Sequence, residues 1–113
     1  MTDNCLFCRI ARKEIPAKIV WEDASILAFR DIDPKAPTHV LVMPKVHVAS
    51  LNGATDAGML GRLLLAAREI AAEEGITQSG YRVVINTGAD AGQSVNHLHL
   101  HLLGGRKMTW PPG

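Results

Sequence analysis

The chain of 113 residues has no stretch near the ~20 consecutive apolar residues that a membrane-spanning helix needs. Its opening, MTDNCLFC, lacks the basic start and apolar run of a secretory signal. A membrane role is therefore not expected, and a cytoplasmic location is. Excess charge of either sign is also missing. Lys and Arg number 12 against 11 Asp and Glu, so no global basic field exists to attract nucleic acid, and any anionic ligand must be held locally. Neither an internal repeat nor a low-complexity tract occurs, and the length fits a single domain spanning 1–113. Cysteine is scarce. In a reducing cytosol Cys5 and Cys8 would remain thiols, which leaves metal ligation, redox chemistry or packing as their uses.

What is present reads as an ordinary globule, with 47% hydrophobic and 20% charged residues. Residues 5–13 suit a short helix stopped near Pro16. KIVWED and SILAFRD are two β-rich segments separated by Asp23, which predicts a hairpin. The two prolines of DIDPKAP then impose a rigid, irregular loop. THVLVMP is a third strand, with His39, Leu41 and Met43 on one face and Val40 and Val42 on the other. From Thr55 to Glu74 the period changes. Leu60, Leu63, Leu64, Ala67, Ile70 and Ala71 recur at spacings of three and four, which predicts one long helix, capped by Thr55 or Asp56 and ended before Gly75. YRVVINTG and NHLHLHLL follow as strands four and five. The expected fold is α+β: a five-stranded antiparallel sheet with one long helix on a face and a short N-terminal helix. The tail GGRKMTWPPG is neither helix nor strand, and Trp110 within it should dock on something, a second subunit included.

Strict alternation puts His97, His99 and His101 on one face of strand five and Leu98, Leu100 and Leu102 on the other, toward the core. One use for three such imidazoles is a single metal ion. At ~3.3 Å per residue, however, the first and third Cα atoms lie ~13 Å apart, and convergence of all three on Zn–N bonds of ~2.0–2.1 Å would be strained. Two adjacent members could share a metal. The other use is nucleophilic catalysis. Crowded imidazoles oppose one another's protonation, which favours a neutral central ring with a free lone pair that attacks phosphorus well. His99 would then be the nucleophile, its other nitrogen donating to a backbone carbonyl or a neighbour, and His101 could donate to phosphate oxygens or the leaving group. The preceding GQSVNH adds Gly92, whose backbone can approach a ligand closely, and Ser94, whose hydroxyl can donate to a phosphate oxygen.

HLHLHLL is similar to the His-φ-His-φ-His-φ-φ signature of the histidine triad (HIT) superfamily of nucleotide hydrolases and transferases. KEIPAKIVWED, LAFRDIDPKAPTHVLVMPKVH, YRVVINTG, GQSVNHLHLHLLGGR and the terminal WPPG all resemble its Hint branch. The resemblance implies a homodimer with the two sheets joined edge to edge. It also implies a nucleoside phosphoramidase that cleaves the P–N bond of nucleotide conjugates, typically purine ones such as those of AMP or GMP, with no organic cofactor. It makes His99 the nucleophile of a nucleotidyl-histidine intermediate, with His97, His101 and His39 as its polar network and Ser94 at the phosphate. Asp31 matches the carboxylate that binds the ribose hydroxyls, Ile32 and Phe29 would line the base pocket, and Asn86 and Gly92 would complete the nucleotide site. Apart from the resemblance, Asp31 could simply cap the turn at DIDP, Asn86 could tolerate a left-handed bend, and His39 could be a hydrogen-bonded core histidine. Two further functions share these residues: hydrolysis of dinucleoside polyphosphates, against which the GGR…WPPG tail argues, and a regulatory module that binds purine nucleotides without turnover.

CxxC at Cys5 and Cys8 needs two more ligands to close a structural zinc tetrahedron. Many HIT relatives pair such cysteines with a histidine after the third strand and with the first triad histidine, positions that resemble His47 and His97. The implied metal is a structural zinc at Cys5, Cys8, His47 and His97, although Hint proteins closest in the C-terminal half often lack the cysteines. With zinc bound, His97 would orient its strand through the metal rather than act as an acid.

Overall fold

A computed structural model describes residues 4–113. A short helix α1, Leu6–Ala11, is capped by Cys5, whose Sγ accepts the Cys8 N–H at 3.3 Å. Two strands follow, β1 (Ile19–Glu22) and β2 (Ile26–Arg30). Their turn is built on Asp23, whose Oδ1 accepts the N–H groups of Ser25 and Ile26. Strand β3 (Thr38–Pro44) leads through one 3₁₀ turn to helix α2 (Ala57–Glu73), and β4 (Tyr81–Val84) and β5 (Leu100–Gly104) complete the chain. The five strands form one antiparallel sheet in the order β1-β2-β3-β5-β4. This is the α+β architecture that the periodicities predict.

Each face of the sheet carries its own apolar cluster. Val40, Val42, Leu98, Leu100 and Leu102 pack with Leu63, Ala67 and Ile70 of α2. Leu41 and Met43 join Leu27, Phe29, Phe7 and Ile10 on the opposite face, beneath α1. The alternation is thereby realised, with leucines toward α2 and histidines on the α1 side.

One helix face and two strand ends differ from the expectations. Helix α2 turns Met59, Leu63, Ala66, Ala67, Ile70 and Ala71 inward, whereas Leu64 is 52% exposed and Leu60 is half-buried. Asp56 is its cap, accepting the Met59 N–H at 3.0 Å. Strand five begins at Leu100 rather than Asn96, so His97 and His99 lie in its lead-in and only His101 is within the ladder. The reason is Pro44. Asp31 N–H donates to His39 O and Lys45 N–H to Ser25 O, so the odd-numbered residues of β3 bond toward β2 and the even-numbered ones toward β5. The rung after Val42–Leu100 would need an N–H from Pro44, which has none, and pairing stops there. Leu98 N–H donates instead to Val48 O at 2.7 Å. Strand four ends at Val84, opposite His101, and in the same register residues 86–88 would face 97–99, the segment that has left the sheet.

The tail is irregular but anchored. Arg82 of β4 donates to Thr109 O at 3.0 Å and lays its guanidinium 5.9 Å from the Trp110 ring centre, while Arg106 donates to Lys35 O. Trp110 stays 81% exposed.

Candidate active site and metal centre

Backbone partners fix the tautomer of each triad histidine. His99 Nδ1 lies 2.7 Å from His97 O. A carbonyl only accepts, so Nδ1 carries the proton and Nε2 holds the lone pair. No hydrogen bond engages that Nε2, and no fully buried side-chain nitrogen among the described residues lacks a partner, so Nε2 reaches open space. Phe7 stands edge-on to this ring, with centroids 5.0 Å apart.

His39 is fixed from the other side. Its Nδ1 accepts the Lys35 N–H at 3.0 Å, so its Nε2 is the protonated nitrogen and donates to His101 Nδ1 at 2.9 Å. His101 is thereby left with a proton on Nε2, a donor in the ring next to His99, 5.0 Å between centroids. Asp31 Oδ2 lies 3.4 Å from His39 Nε2, and Oδ1 accepts the Asp33 N–H at 2.8 Å. Asp31 thus closes its turn with one oxygen and faces the histidines with the other. Asp31, His39 and His101 also group as a metal site would. The Lys35 N–H excludes it, because a neutral His39 has no lone pair at Nε2 to offer a cation.

Burial holds His39, His97, His99 and His101 below the ordinary histidine range. His101 is pushed from 6.5 to about 4, first by burial and then by His99 and His39. The unfolded chain therefore takes up a proton here before the folded one does. Stability is fully present above pH 6.5 and falls as the pH drops from 6.5 toward 4. Urea midpoints should decrease over that window, and less steeply for His101→Asn. Equal slopes for the two proteins would refute this origin.

A cavity of 720 Å³ opens beside Asp31 and His39, walled mainly by Leu6, Ile10, Ile15, Phe29, Ile32 and Pro34. An apolar cleft with a few convergent polar groups suits a flat heterocycle attached to a polar tail. Phe29 is buried in its wall and Ile32 stands at its rim, fully exposed. Ser94 lies elsewhere, in a second cavity of 500 Å³ with Asn4, Cys5, Leu6 and His47. Asn86, Gly92, His99 and His101 line neither cavity, and the two histidines join the first only through His39, which His101 hydrogen-bonds. Gln93 is the residue that sequence reasoning passed over. Its amide accepts the Gly88 N–H at 3.0 Å and donates to Ala49 O and Val95 O, which locks the loop carrying Ser94. A glutamine between a glycine and a serine gave no sign of this.

His97 faces away from the cavity. Its Nε2 donates to Pro44 O at 2.8 Å, so the lone pair is on Nδ1, which points at Cys5 Sγ (3.3 Å) and Cys8 Sγ (3.5 Å). His47 Nδ1 lies 3.3 Å from Cys8 Sγ. All four ligand atoms fall within 4.8 Å of one another. A tetrahedron with Zn–S ~2.3 Å and Zn–N ~2.0–2.1 Å has edges of about 3.3–3.8 Å, so this donor set fits zinc. Burial, reinforced by Cys5, pushes the Cys8 thiol up to about 11, a proton that a bound cation would displace.

The HIT domain family matches residues 12–108. The chain belongs to the HIT family. An adenylylsulfatase HINT1 of Arabidopsis thaliana is 49% identical across 96% of this HIT protein and 76% of its own length. A 14 kDa zinc-binding protein of Zea mays is 52% identical, with 96% and 87% covered. The crystal structure of a HIT family hydrolase from Legionella pneumophila superposes with a TM-score of 0.95 at 55% identity, covering 97% of this chain and 100% of that one. In this HIT domain the triad histidines lie opposite the leucines, as alternation predicts, on the sheet face that carries α1.

Proposed function

We propose that the protein is a nucleotide phosphoramidate hydrolase working through a covalent nucleotidyl intermediate on His99. The carrying observation is the tautomer of His99, with Nδ1–H tied to His97 O and the Nε2 lone pair facing outward. The purine and ribose of an AMP or GMP conjugate occupy the 720 Å³ cavity, between Phe29 and Ile32, with Asp31 Oδ2 accepting from the ribose hydroxyls. Ser94, Gly92 and Asn86 belong to the connection that would cover the phosphate.

His99 Nε2 attacks the α-phosphorus. As the P–N bond of the substrate breaks, its electron pair goes to the departing amine, which takes the Nε2 proton of His101, and the negative charge left on that ring is offset by the cation formed on His99, 5.0 Å away between centroids. The nucleotidylated ring is cationic, and the His97 carbonyl is placed to stabilise its Nδ1–H. Water then attacks phosphorus, returns a proton to His101 and releases the mononucleotide with neutral His99. The apolar surroundings keep both rings neutral beforehand, which leaves His99 the lone pair that attack requires.

The name of the Arabidopsis relative, adenylylsulfatase, supports a second leaving group. Sulfate departs without a proton, so the same nucleophile serves nucleotidyl sulfates. The name of the maize relative supports zinc at Cys5, Cys8, His47 and His97. Bound there, zinc would be a structural crosslink with no part in the steps above. The test of the main reading is to mix the protein with adenosine 5′-phosphoramidate, denature rapidly at alkaline pH and weigh the chain. An adenylyl adduct is expected on His99, and steady turnover without one would refute the mechanism.

A homodimer completes this reading. Strand β4 is an edge whose outer side is unpaired, Tyr81 is exposed on it, and Leu64 and Leu65 of α2 are each 52% exposed. A two-fold pairing through β4 would cover these groups and bring the Arg82-held Trp110 close to the partner. Light scattering should give twice the chain mass, and a 12.2 kDa species at micromolar concentration would exclude the dimer.

A further inference from the structure

We propose that metal loading controls nucleotide affinity, because the zinc site and the nucleotide cavity share one wall, helix α1. The inference rests on the zinc reading above. Six residues are too few for a helix to persist alone in water, so α1 depends on what it is fastened to. Its side chains divide between the two sites. Cys8 belongs to the metal cluster, Leu6 and Ile10 line the nucleotide cavity, and Phe7 stands between them, edge-on to His97 (5.9 Å) and His99 (5.0 Å). A cation held by Cys5 and Cys8 at one side and His47 and His97 at the other would bolt α1 to the lead-in of β5.

His97 makes the second connection. Its ring belongs to the metal cluster and its carbonyl accepts the Nδ1–H of His99. Fixing the ring fixes the peptide that aims the nucleophile. His97 is thus a positioning residue, and the metal acts on the reaction only through this chain's own geometry. Emptying the site leaves α1 held by the apolar packing of Phe7, Ile10 and Ala11 without the crosslink, so one wall of the cavity loosens. A nucleotide that needs that wall must then meet the cost of ordering it, and its apparent affinity drops by the fraction of chains in the closed arrangement.

Coupling of this kind is reciprocal: zinc must tighten AMP by the same factor by which AMP tightens zinc. The experiment uses the full chain, stripped with a chelator or loaded with zinc. AMP affinity is measured by calorimetry, and zinc affinity by competition with a chromophoric chelator with and without AMP. A gain of about fivefold or more in both directions is expected, with slower amide exchange confined to residues 5–12 on loading. His47→Ala, which removes an exposed ligand without opening the core, should bind AMP like the stripped chain whether or not zinc is added. AMP affinities equal within twofold would overturn the coupling while leaving the zinc site standing. Failure to take up zinc at all would overturn both. An exchange change spread across the whole sheet, rather than confined to α1, would also overturn the proposal, because the metal would then act on global stability.

Discussion

Replacing His99 by alanine should abolish the adenylyl adduct and cut turnover of adenosine 5′-phosphoramidate on the order of 10⁴-fold or more, with AMP still bound within about tenfold of the wild type. The size of the loss follows from the division of labour. Phe29, Asp31 and the apolar wall of the cavity hold the nucleotide whether or not the nucleophile is there, whereas no neighbour can take over the attack. His97 offers its Nδ1 to the sulfurs, and the lone pairs of His39 and His101 are both occupied as hydrogen-bond acceptors. Among these four rings, only His99 has a free lone pair facing outward. Rapid-quench kinetics on the variant checks this, and a rate near that of the wild type would mean that water attacks phosphorus directly. His101→Gln serves as the companion. It should slow the phosphoramidate far more than an adenylyl sulfate, because only the amine needs the proton.

The largest effect on stability is expected at Gly105. Its φ is +90°, a region that an L side chain enters at ~1–2 kcal/mol, and a Cβ built there would lie 2.9 Å from Pro37 Cβ and 3.2 Å from Pro37 Cγ. The proline ring cannot swing away, so Gly105→Val adds an overpacking cost of ~1–3 kcal/mol to the backbone strain. The sum, roughly 2–5 kcal/mol, is a large part of the 5–15 kcal/mol that such a domain has in total. Gly104→Ala is the contrast. Its Cβ would lie 2.5 Å from Ile76 Cδ1, an end that can rotate, and 3.3 Å from Ile76 Cβ, which must give by a few tenths of an ångström, so a smaller loss is expected. Urea unfolding of both variants decides the matter, and a Gly105→Val midpoint equal to that of the wild type would contradict the steric account. Pro37 also lines the nucleotide cavity and leads into His39, so a surviving Gly105 variant should bind AMP more weakly.

Much of this was legible in the residues, for identifiable reasons. The alternation of His97 to Leu102 encodes two faces, because a strand has a side-chain period of two and α2 needs the leucines. The CxxC and His47, 39 residues apart from Cys8, needed a known family pattern to be joined, and the fold brings them within bonding distance of one ion. What stayed hidden depends on partners remote in sequence or lying in the backbone. The true start of β5 is set by a missing donor at Pro44. Leu64 sits on the flank of the apolar stripe, and the sheet, not the helix, decides which flank is covered. The tautomers rest on His97 O, Pro44 O and the Lys35 amide, none of which is written in a side chain.

The row of rings from His101 through His39 stops at the Lys35 amide. A peptide N–H offers a hydrogen bond but does not give up its proton near neutral pH, so that end of the row is a stopper rather than an outlet. Whatever proton His101 hands over cannot be replenished from the backbone. It must come back from the water that ends the cycle, and the catalytic centre therefore finishes each round with the same proton inventory with which it began.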